Sequence, residues 1–229
     1  MRIDGTKGAK VYTPVTLKLY DWWVLSLSNR FAWRCQTQGF LVPHFRRHLG
    51  ENHLDVGVGT GYYLEKLHPY LQEVTLLDLN AASLTSAARR IDPSRLMNCL
   101  QHDVFQPLPP ELHHRYDSVS LFYLLHCLPG DMATKAAAIG NIKAAVTQNG
   151  TLYGATILGY GVSHNAFGRK LMAIYNRKGI FSNTQDSLSE LEAMLHQHFR
   201  EVEVSLQGTV ALFAARDKIA DALQDAVEN

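Results

Sequence analysis

The chain has 229 residues, 46 % of them hydrophobic, and its 22 Lys plus Arg nearly balance 21 Asp plus Glu. That length is enough for one α/β domain with a sizeable core, and the charge balance supplies no field to draw the chain to nucleic acid or an anionic membrane. Cys35, Cys99 and Cys127 are odd in number and widely spaced, the pattern of reduced core residues in a cytoplasmic protein and not of a disulfide frame or metal knuckle.

Residues 1–11 read as a loose end with no secretory h-region. Thr13-Pro14 supplies an N-cap and a first-turn proline for an apolar helix from Val15 to Leu27 that holds Tyr20, Trp22 and Trp23. A helix apolar almost all round must be covered on more than one side. A second helix is expected over 37–48, bent or shortened by Pro43. From residue 53 the pattern alternates. Apolar runs at 53–58, 74–79, 96–101, 116–124 and 150–158 read as strands buried on both faces, with helices over 61–70, 80–91 and 131–148 between them. Asn80 and Asp131 stand as helix caps, and Asn149-Gly150 as a helix end. The longest apolar stretch, Val119 to Leu128, is broken by Ser120 and His126 and is too short to span a bilayer. Beyond the fifth strand, Ser163 to Lys178 reads as a helix with Ser163 as its cap. Ser187-Leu188-Ser189-Glu190 opens another with a capping-box pattern. Two last strand patterns, 201–206 and 209–215, are separated by Gln207-Gly208, a spacing that permits only an antiparallel hairpin. The fold class is therefore α/β: a Rossmann-like, mainly parallel seven-stranded sheet ending in an antiparallel hairpin, with helices on both faces. Residues 1–50 form an N-terminal helical lid, 51–216 the core with an insertion at 159–183, and 217–229 a tail, all within one domain.

Between the first strand and the helix after it lies His53-Leu54-Asp55-Val56-Gly57-Val58-Gly59-Thr60-Gly61. Glycines at such a turn admit φ > 0 and let a ligand approach the backbone. A dinucleotide fingerprint places its third glycine three positions after the second; here the interval is two, and Tyr62 stands at the dinucleotide position. Asp55 is placed to meet a cationic or amino-bearing ligand. Asp78 ends the second strand, facing the crevice where an acid accepts hydrogen bonds from ribose hydroxyls, while an ordinary capping role remains open. Asp103 ends the third strand before a Pro-rich loop and is also a common turn residue.

The D-x-G-x-G-x-G pattern resembles motif I of the class I S-adenosylmethionine-dependent methyltransferases, and the terminal hairpin agrees with that family's sheet. The resemblance covers roughly residues 50–216. It implies S-adenosyl-L-methionine as cofactor, cradled by Gly57, Gly59, Thr60 and Gly61. Asp55 would lie at the amino end, Asp78 and Leu79 at the ribose, and His102, Asp103 and Val104 at the adenine. Phe122 and Tyr123, after the fourth strand, would lie under the methionine half. Asp117, which opens that strand, reads as structural.

Methyl transfer from a sulfonium gains most from alignment, with a base useful when the acceptor must lose a proton. His126, directly after the fourth strand, is the candidate base, with helix capping as its other reading; Tyr20 is placed beside it as a catalytic residue on the lid. Tyr12, Trp22, Trp23, Tyr160, His164, Phe167 and Tyr175 concentrate in the two segments outside the shared core, where this family recognises its acceptor. Such an aromatic lining suits a small, apolar or planar molecule, methylated on oxygen or carbon. No metal is expected: His44, His48 and His53 have suggestive spacing, but Pro43 disturbs the helix and Arg46 and Arg47 burden a cation site. A non-methylating enzyme on the same fold, such as a cyclase, and a nicotinamide oxidoreductase are the competing readings. The expected partner is the small acceptor alone, with monomer and homodimer both open.

Overall fold

The structure, a computed structural model, describes residues 21–220. Thr13, Pro14, Tyr12 and Tyr20 lie outside the described residues, as do the side chains of Trp22 and Trp23. The described residues form seven strands: β1 (Asn52–Val56), β2 (Glu73–Asp78), β3 (Leu96–Gln101), β4 (Tyr116–Phe122), β5 (Val146–Ile157), β6 (Phe199–Gln207) and β7 (Val210–Lys218). They form one sheet in the order β3-β2-β1-β4-β5-β7-β6. Every pair up to β5 is parallel, and β7 runs antiparallel to both β5 and β6. The expected hairpin joins β6 to β7, but its turn is Gly208-Thr209, one residue later than read, because Gln207 still pairs with Val210.

Helix α1 (Asp21–Ala32) leads to α2, whose first part, Thr37–Leu41, is wound more loosely and tightens to an α-helix over Val42–His48. The change falls at Pro43, which has no N–H to give the preceding turn. Helices α3 (Tyr62–Lys66), α4 (Ala81–Ala88), α5 (Met132–Lys143), α6 (Ala166–Arg177) and α7 (Leu188–His196) follow. Period-two alternation along the strands divides the core into two layers. One face carries Leu54, Val56, Val119, Leu121 and Leu152 under α5 and α7. The other carries Leu76, Tyr153, Ala155 and Ile157 under α1, α2, α3, α4 and α6.

Local signals account for the ends that were read correctly. Asn80 accepts from the Ala82 amide at 2.8 Å, Asp131 from Thr134 at 2.8 Å, and Ser187 and Glu190 close a capping box. Four expectations need correction. The run 96–101 is an edge strand, so Met97, Asn98 and Cys99 are exposed instead of doubly buried; Cys99 is accordingly not a core cysteine. The helix expected over 131–148 stops at Lys143, because β5 already begins at Val146. That expected over 61–70 is a five-residue α3 followed by a single tight turn at His68–Tyr70. The cap of α6 is Asn165, accepting from Gly168 at 2.7 Å, and not Ser163.

Candidate functional site

The carboxyl ends of β1, β2 and β4 open on a cleft. Its floor is the turn from β1 into α3, in which Gly57, Gly59 and Gly61 have φ of 72°, 53° and 77°. A Cβ added to Gly59 would meet nothing within 4 Å among the described residues, so the turn presents bare backbone to the cleft. Gly61 has another role than the expected cradle. It does not line the cleft; a Cβ there would fall 2.7 Å from the Ala87 Cα, so this glycine lets α3 approach α4.

Two acids stand beside the glycine turn. Asp55 is buried, and its Oδ1 accepts from the Ser120 hydroxyl. Burial pushes its carboxyl up to about 7, Ser120 works against that rise, and the negative charge of Asp78 adds to it. Asp78 is likewise raised by burial, to about 6, against the amides of Asn80, Gly59, Val58 and Leu79. Its Oδ1 accepts from Asn80 at 2.8 Å. One carboxylate therefore braces both the glycine turn and the start of α4. Thr60 and Leu79 also face the cleft.

The far wall comes from the segment after β3, where His102, Asp103 and Val104 line the cleft with Phe105. Asp103 Oδ1 accepts from the Phe105 amide at 3.0 Å, the Asx-type turn that its sequence context suggested. His102 Nε2 lies 3.3 Å from the Gln106 carbonyl. The opposite end is built by the chain leaving β4. Phe122 packs against Phe45 and Tyr63 at ring separations of 4.9 and 4.7 Å. Tyr123 takes φ 62°, an uncommon conformation for a non-glycine residue. Its hydroxyl donates to Asn29 Oδ1 at 2.9 Å, and Asn29 Nδ2 donates to Thr37 Oγ1 at 2.9 Å. The loop above the cleft is thus tied to α1 and α2. Leu124, Cys127, Leu128, Pro129 and Ile180 complete an apolar wall at this end. Asp117 is structural, accepting from the Glu51 and Asn52 amides at 3.2 and 3.1 Å.

His126 does not fit the expected part of general base. It is 2 % exposed and does not line the cleft. Its Nδ1 accepts from the Ile157 amide at 3.3 Å, and its ring packs edge-on against Phe181 and Tyr123. Burial, and next the charge of Lys135, press its pKa down to about 3. With Nδ1 accepting, the neutral ring carries its proton on Nε2 and has no lone pair for an acceptor's proton. His126 instead links the turn Leu125–Cys127 to β5.

The insertion also differs from its reading. Tyr160 is 62 % exposed, and Tyr175 packs on Phe181 with ring centres 4.9 Å apart. Phe167 packs with the layer under α6. His164 Nε2 lies 2.9 Å from the Leu158 carbonyl, beside a separate hollow lined also by Arg169, Met172 and Asn176. None of these four reaches the cleft; Ile180 is the residue of the segment that does. Asn80, read only as a cap, Cys127, read only as a core cysteine, and Ser83, Phe105, Leu128 and Pro129 also line it. Asn29 gave no signal of its role: it lies beyond the apolar run that ends at Leu27, between the polar Ser28 and Arg30.

An open, positive-φ glycine turn, two carboxylates at adjacent strand ends and an apolar end wall fit an adenosyl amino acid with a cationic end. The comparisons agree. The family described as "Methyltransferase domain" matches residues 54–152. The YbcY protein of Escherichia coli (strain K12) is 54 % identical over 194 residues, covering 85 % of this chain and all of that one. The physcion biosynthesis cluster O-methyltransferase of Aspergillus chevalieri is 39 % identical, covering 91 % of this chain and 94 % of that one. Among solved structures, the DhpI complex with S-adenosylhomocysteine has a TM-score of 0.64 at 17 % identity, over 93 % of this chain and 96 % of that one. The N-methyltransferase NodS of Bradyrhizobium japonicum WM9, with S-adenosyl-l-homocysteine, has a TM-score of 0.56 at 17 % identity, over 77 % and 83 % of the two chains. Fold and site define a methyl-transferring enzyme. The chain belongs to the class I S-adenosylmethionine-dependent methyltransferases.

Proposed function

We propose that this methyltransferase acts on a hydroxyl of a small, apolar or planar molecule, seated against the wall formed by Leu124, Cys127, Leu128, Pro129 and Ile180. The observation that carries the reading is the apolar character of that wall beside a cleft floor held by acids. The names of relatives support oxygen as the acceptor atom: the Aspergillus chevalieri protein and the Aspergillus niger protein AdaD, 38 % identical, are both called O-methyltransferases. When bound, S-adenosylmethionine supplies an electrophilic methyl group on a sulfonium.

The chain's own residues then divide the work. Gly59 leaves room over the turn, Asp55 faces the amino end, Asp78 accepts from the ribose, and Asp103 with Val104 faces the adenine. Tyr123, fixed through Asn29, holds the loop beside the reacting end. Tyr123 and Cys127 at this end are both held protonated by burial, Cys127 with a pKa pushed up to about 12. Among the described residues the end wall therefore offers no base, and the acceptor's own acidity governs its ionisation. Rate enhancement rests on alignment, for which ~7–11 kcal/mol is available in principle. Of residues 1–50, Trp33, Leu41 and Phe45 pack in the sheet layer and line no part of the cleft, so the cover of the acceptor is assigned to the residues before α1, within one domain; three free cysteines are in keeping with the cytoplasm.

The test is methyl transfer from labelled S-adenosylmethionine to a series of phenols of graded acidity, with amines and carboxylic acids beside them. Phenols alone should be methylated, with kcat/KM following each phenol's own ionisation. Preference for amines, or a pH profile common to all phenols, would overturn the assignment.

A further inference from the structure

His53 and Asp55 alternate with Leu54 and Val56 on β1, and Ser118 and Ser120 alternate with Val119 and Leu121 on β4. All four polar side chains therefore share one face of the sheet. The register places His53 opposite Ser118 and Asp55 opposite Ser120. All four are buried in the interior. Ser118 Oγ lies 2.8 Å from His53 Nδ1, His53 Nε2 lies 3.1 Å from Ser120 Oγ, and Ser120 Oγ donates to Asp55 Oδ1. At the other end the Gly50 amide donates to Ser118 Oγ at 2.9 Å.

Every proton in this row has one place to go. An ionised Asp55 only accepts, so the Ser120 proton lies on that bond. Ser120 Oγ must then accept from His53, which puts the imidazole proton on Nε2. Nδ1 is left bare and accepts from the Ser118 hydroxyl, whose oxygen accepts from Gly50. The donors all run one way, toward the carboxylate. Bonds in such a series polarise one another, and more strongly in a low-dielectric interior.

Asp55 needs that help. Among the described residues, the titratable groups around it are His53 on its own strand, Asp78 on β2, Tyr153 on β5, Tyr63 on α3 and Tyr123 after β4. None is a cation at neutral pH: burial holds His53 neutral, with a pKa pushed down to about 3. A buried carboxylate without a cation takes up a proton unless hydrogen bonds favour the charged form.

We propose that His53 and Ser120 are positioning residues for the methyl donor: the chain Gly50–Ser118–His53–Ser120 keeps Asp55 ionised and in one orientation for the donor's amino group. This rests on the assignment of Asp55 to that amino end. His53 touches no ligand; it acts through Ser120. The same geometry makes donor affinity sensitive to pH, since protonating Asp55 removes the charge and reverses the demand on Ser120.

The experiment compares wild type with Ser120→Ala, His53→Leu and His53→Gln by calorimetry, using S-adenosylhomocysteine and adenosine as ligands between pH 6 and 9. Adenosine has no amino-acid half. Ser120→Ala should weaken S-adenosylhomocysteine about tenfold or more at pH 7, leave adenosine unchanged, and recover affinity only at a higher pH than wild type. His53→Leu should act in the same direction. His53→Gln should bind close to wild type, because its amide can donate from near the position of Nε2. Thermal melts accompany each variant, and Ser120→Ala alone decides the matter should His53→Leu fail to fold. Wild-type affinity and pH midpoint in Ser120→Ala would overturn the proposal, as would equal losses for both ligands, which would mark the row as core packing. Unchanged S-adenosylhomocysteine binding in Asp55→Asn would instead overturn the underlying assignment.

Discussion

Replacing Lys135 by Met should destabilise the enzyme more than any other single change on α5. Lys135 and Asp186 have side-chain exposures of 0 % and 2 %, and Nζ donates to Asp186 Oδ2 at 2.6 Å and to the Ser182 carbonyl at 2.7 Å. Burial acts to discharge both partners, lowering the pKa of Lys135 and raising that of Asp186, while their mutual attraction opposes it. Removing the cation leaves a buried carboxylate and a carbonyl without their donor. The loss of one partner of such a pair costs about 3–5 kcal/mol. For a chain of this size that is a fall in Tm of roughly 6–20 °C. Replacing both partners, as in Lys135→Met with Asp186→Leu, removes the stranded charge and should return most of the loss. Urea titration of the four proteins gives the coupling directly.

The sign of the pH dependence supplies a second check. In Lys135→Met the folded-state pKa of Asp186 lies above its unfolded value, so the fold holds the extra proton. The penalty is then largest above the folded pKa and shrinks as pH falls. The pair also matters to function, because Ser182 adjoins Phe181 and its amide donates to the His126 carbonyl at 2.8 Å. Loosening that segment frees Ile180 from the cleft wall, so KM for the acceptor should rise more than Kd for S-adenosylhomocysteine. A single variant costing under about 1 kcal/mol, or a double variant no better than the single, would refute the account of the pair as dry and mutually dependent.

Five further outcomes are expected. Gly59→Arg should abolish S-adenosylhomocysteine binding in calorimetry while the protein stays folded, its Tm lowered by the strain of a side chain at φ 53°; Gly61→Ala should bind but be less stable by about 1–3 kcal/mol, because it overpacks against Ala87. Asp78→Ala should weaken the cofactor at least about tenfold; an unchanged Kd would leave this residue only as a brace for the glycine turn. Tyr153→Phe should be neutral or stabilising by up to about 1 kcal/mol in urea titration, because the buried Tyr153 hydroxyl has no hydrogen-bond partner among the described residues; a clear loss would show that the hydroxyl is used. Finally, His126 is neutral when folded but protonates below about 6.5 when unfolded, so it withdraws stability as pH falls through that value. The stability difference between wild type and His126→Gln should therefore move by about 2 kcal/mol against wild type from pH 7 to pH 5, and a constant difference would contradict the buried, neutral ring.

Much of the sheet was legible because its signals are local or periodic. Runs such as Leu76-Leu77 and Leu121-Phe122 are apolar on consecutive residues, which only a strand covered on both faces requires. Two residues between the last strands left no alternative to a hairpin. The edge position of β3 was not legible. Its run contains Asn98 and Cys99, yet whether a strand has one neighbour or two depends on the order of the whole sheet, which no local pattern carries. Asp55, Gly59, Asp78 and Asp103 were found for a related reason: each sits at a strand end, where the topology itself makes the crevice.

The failures begin where one backbone torsion redirects everything after it. His126 follows an apolar strand and, counted along an extended chain, should emerge at the cleft. Tyr123 instead takes φ 62°, and nothing in a tyrosine announces that choice. The turn it starts carries His126 inward against Phe181 and leaves Cys127, Leu128 and Pro129 at the cleft in its place. The torsion holds because the Tyr123 hydroxyl is caught by Asn29 nearly a hundred residues earlier, and Asn29 by Thr37. The sequence does show the polar alternation of His53 with Asp55 and of Ser118 with Ser120, but not the register that joins them. A period of two fixes which face a side chain takes; only the pairing of β1 with β4 makes four buried polar groups into one chain ending on the carboxylate at the cleft floor.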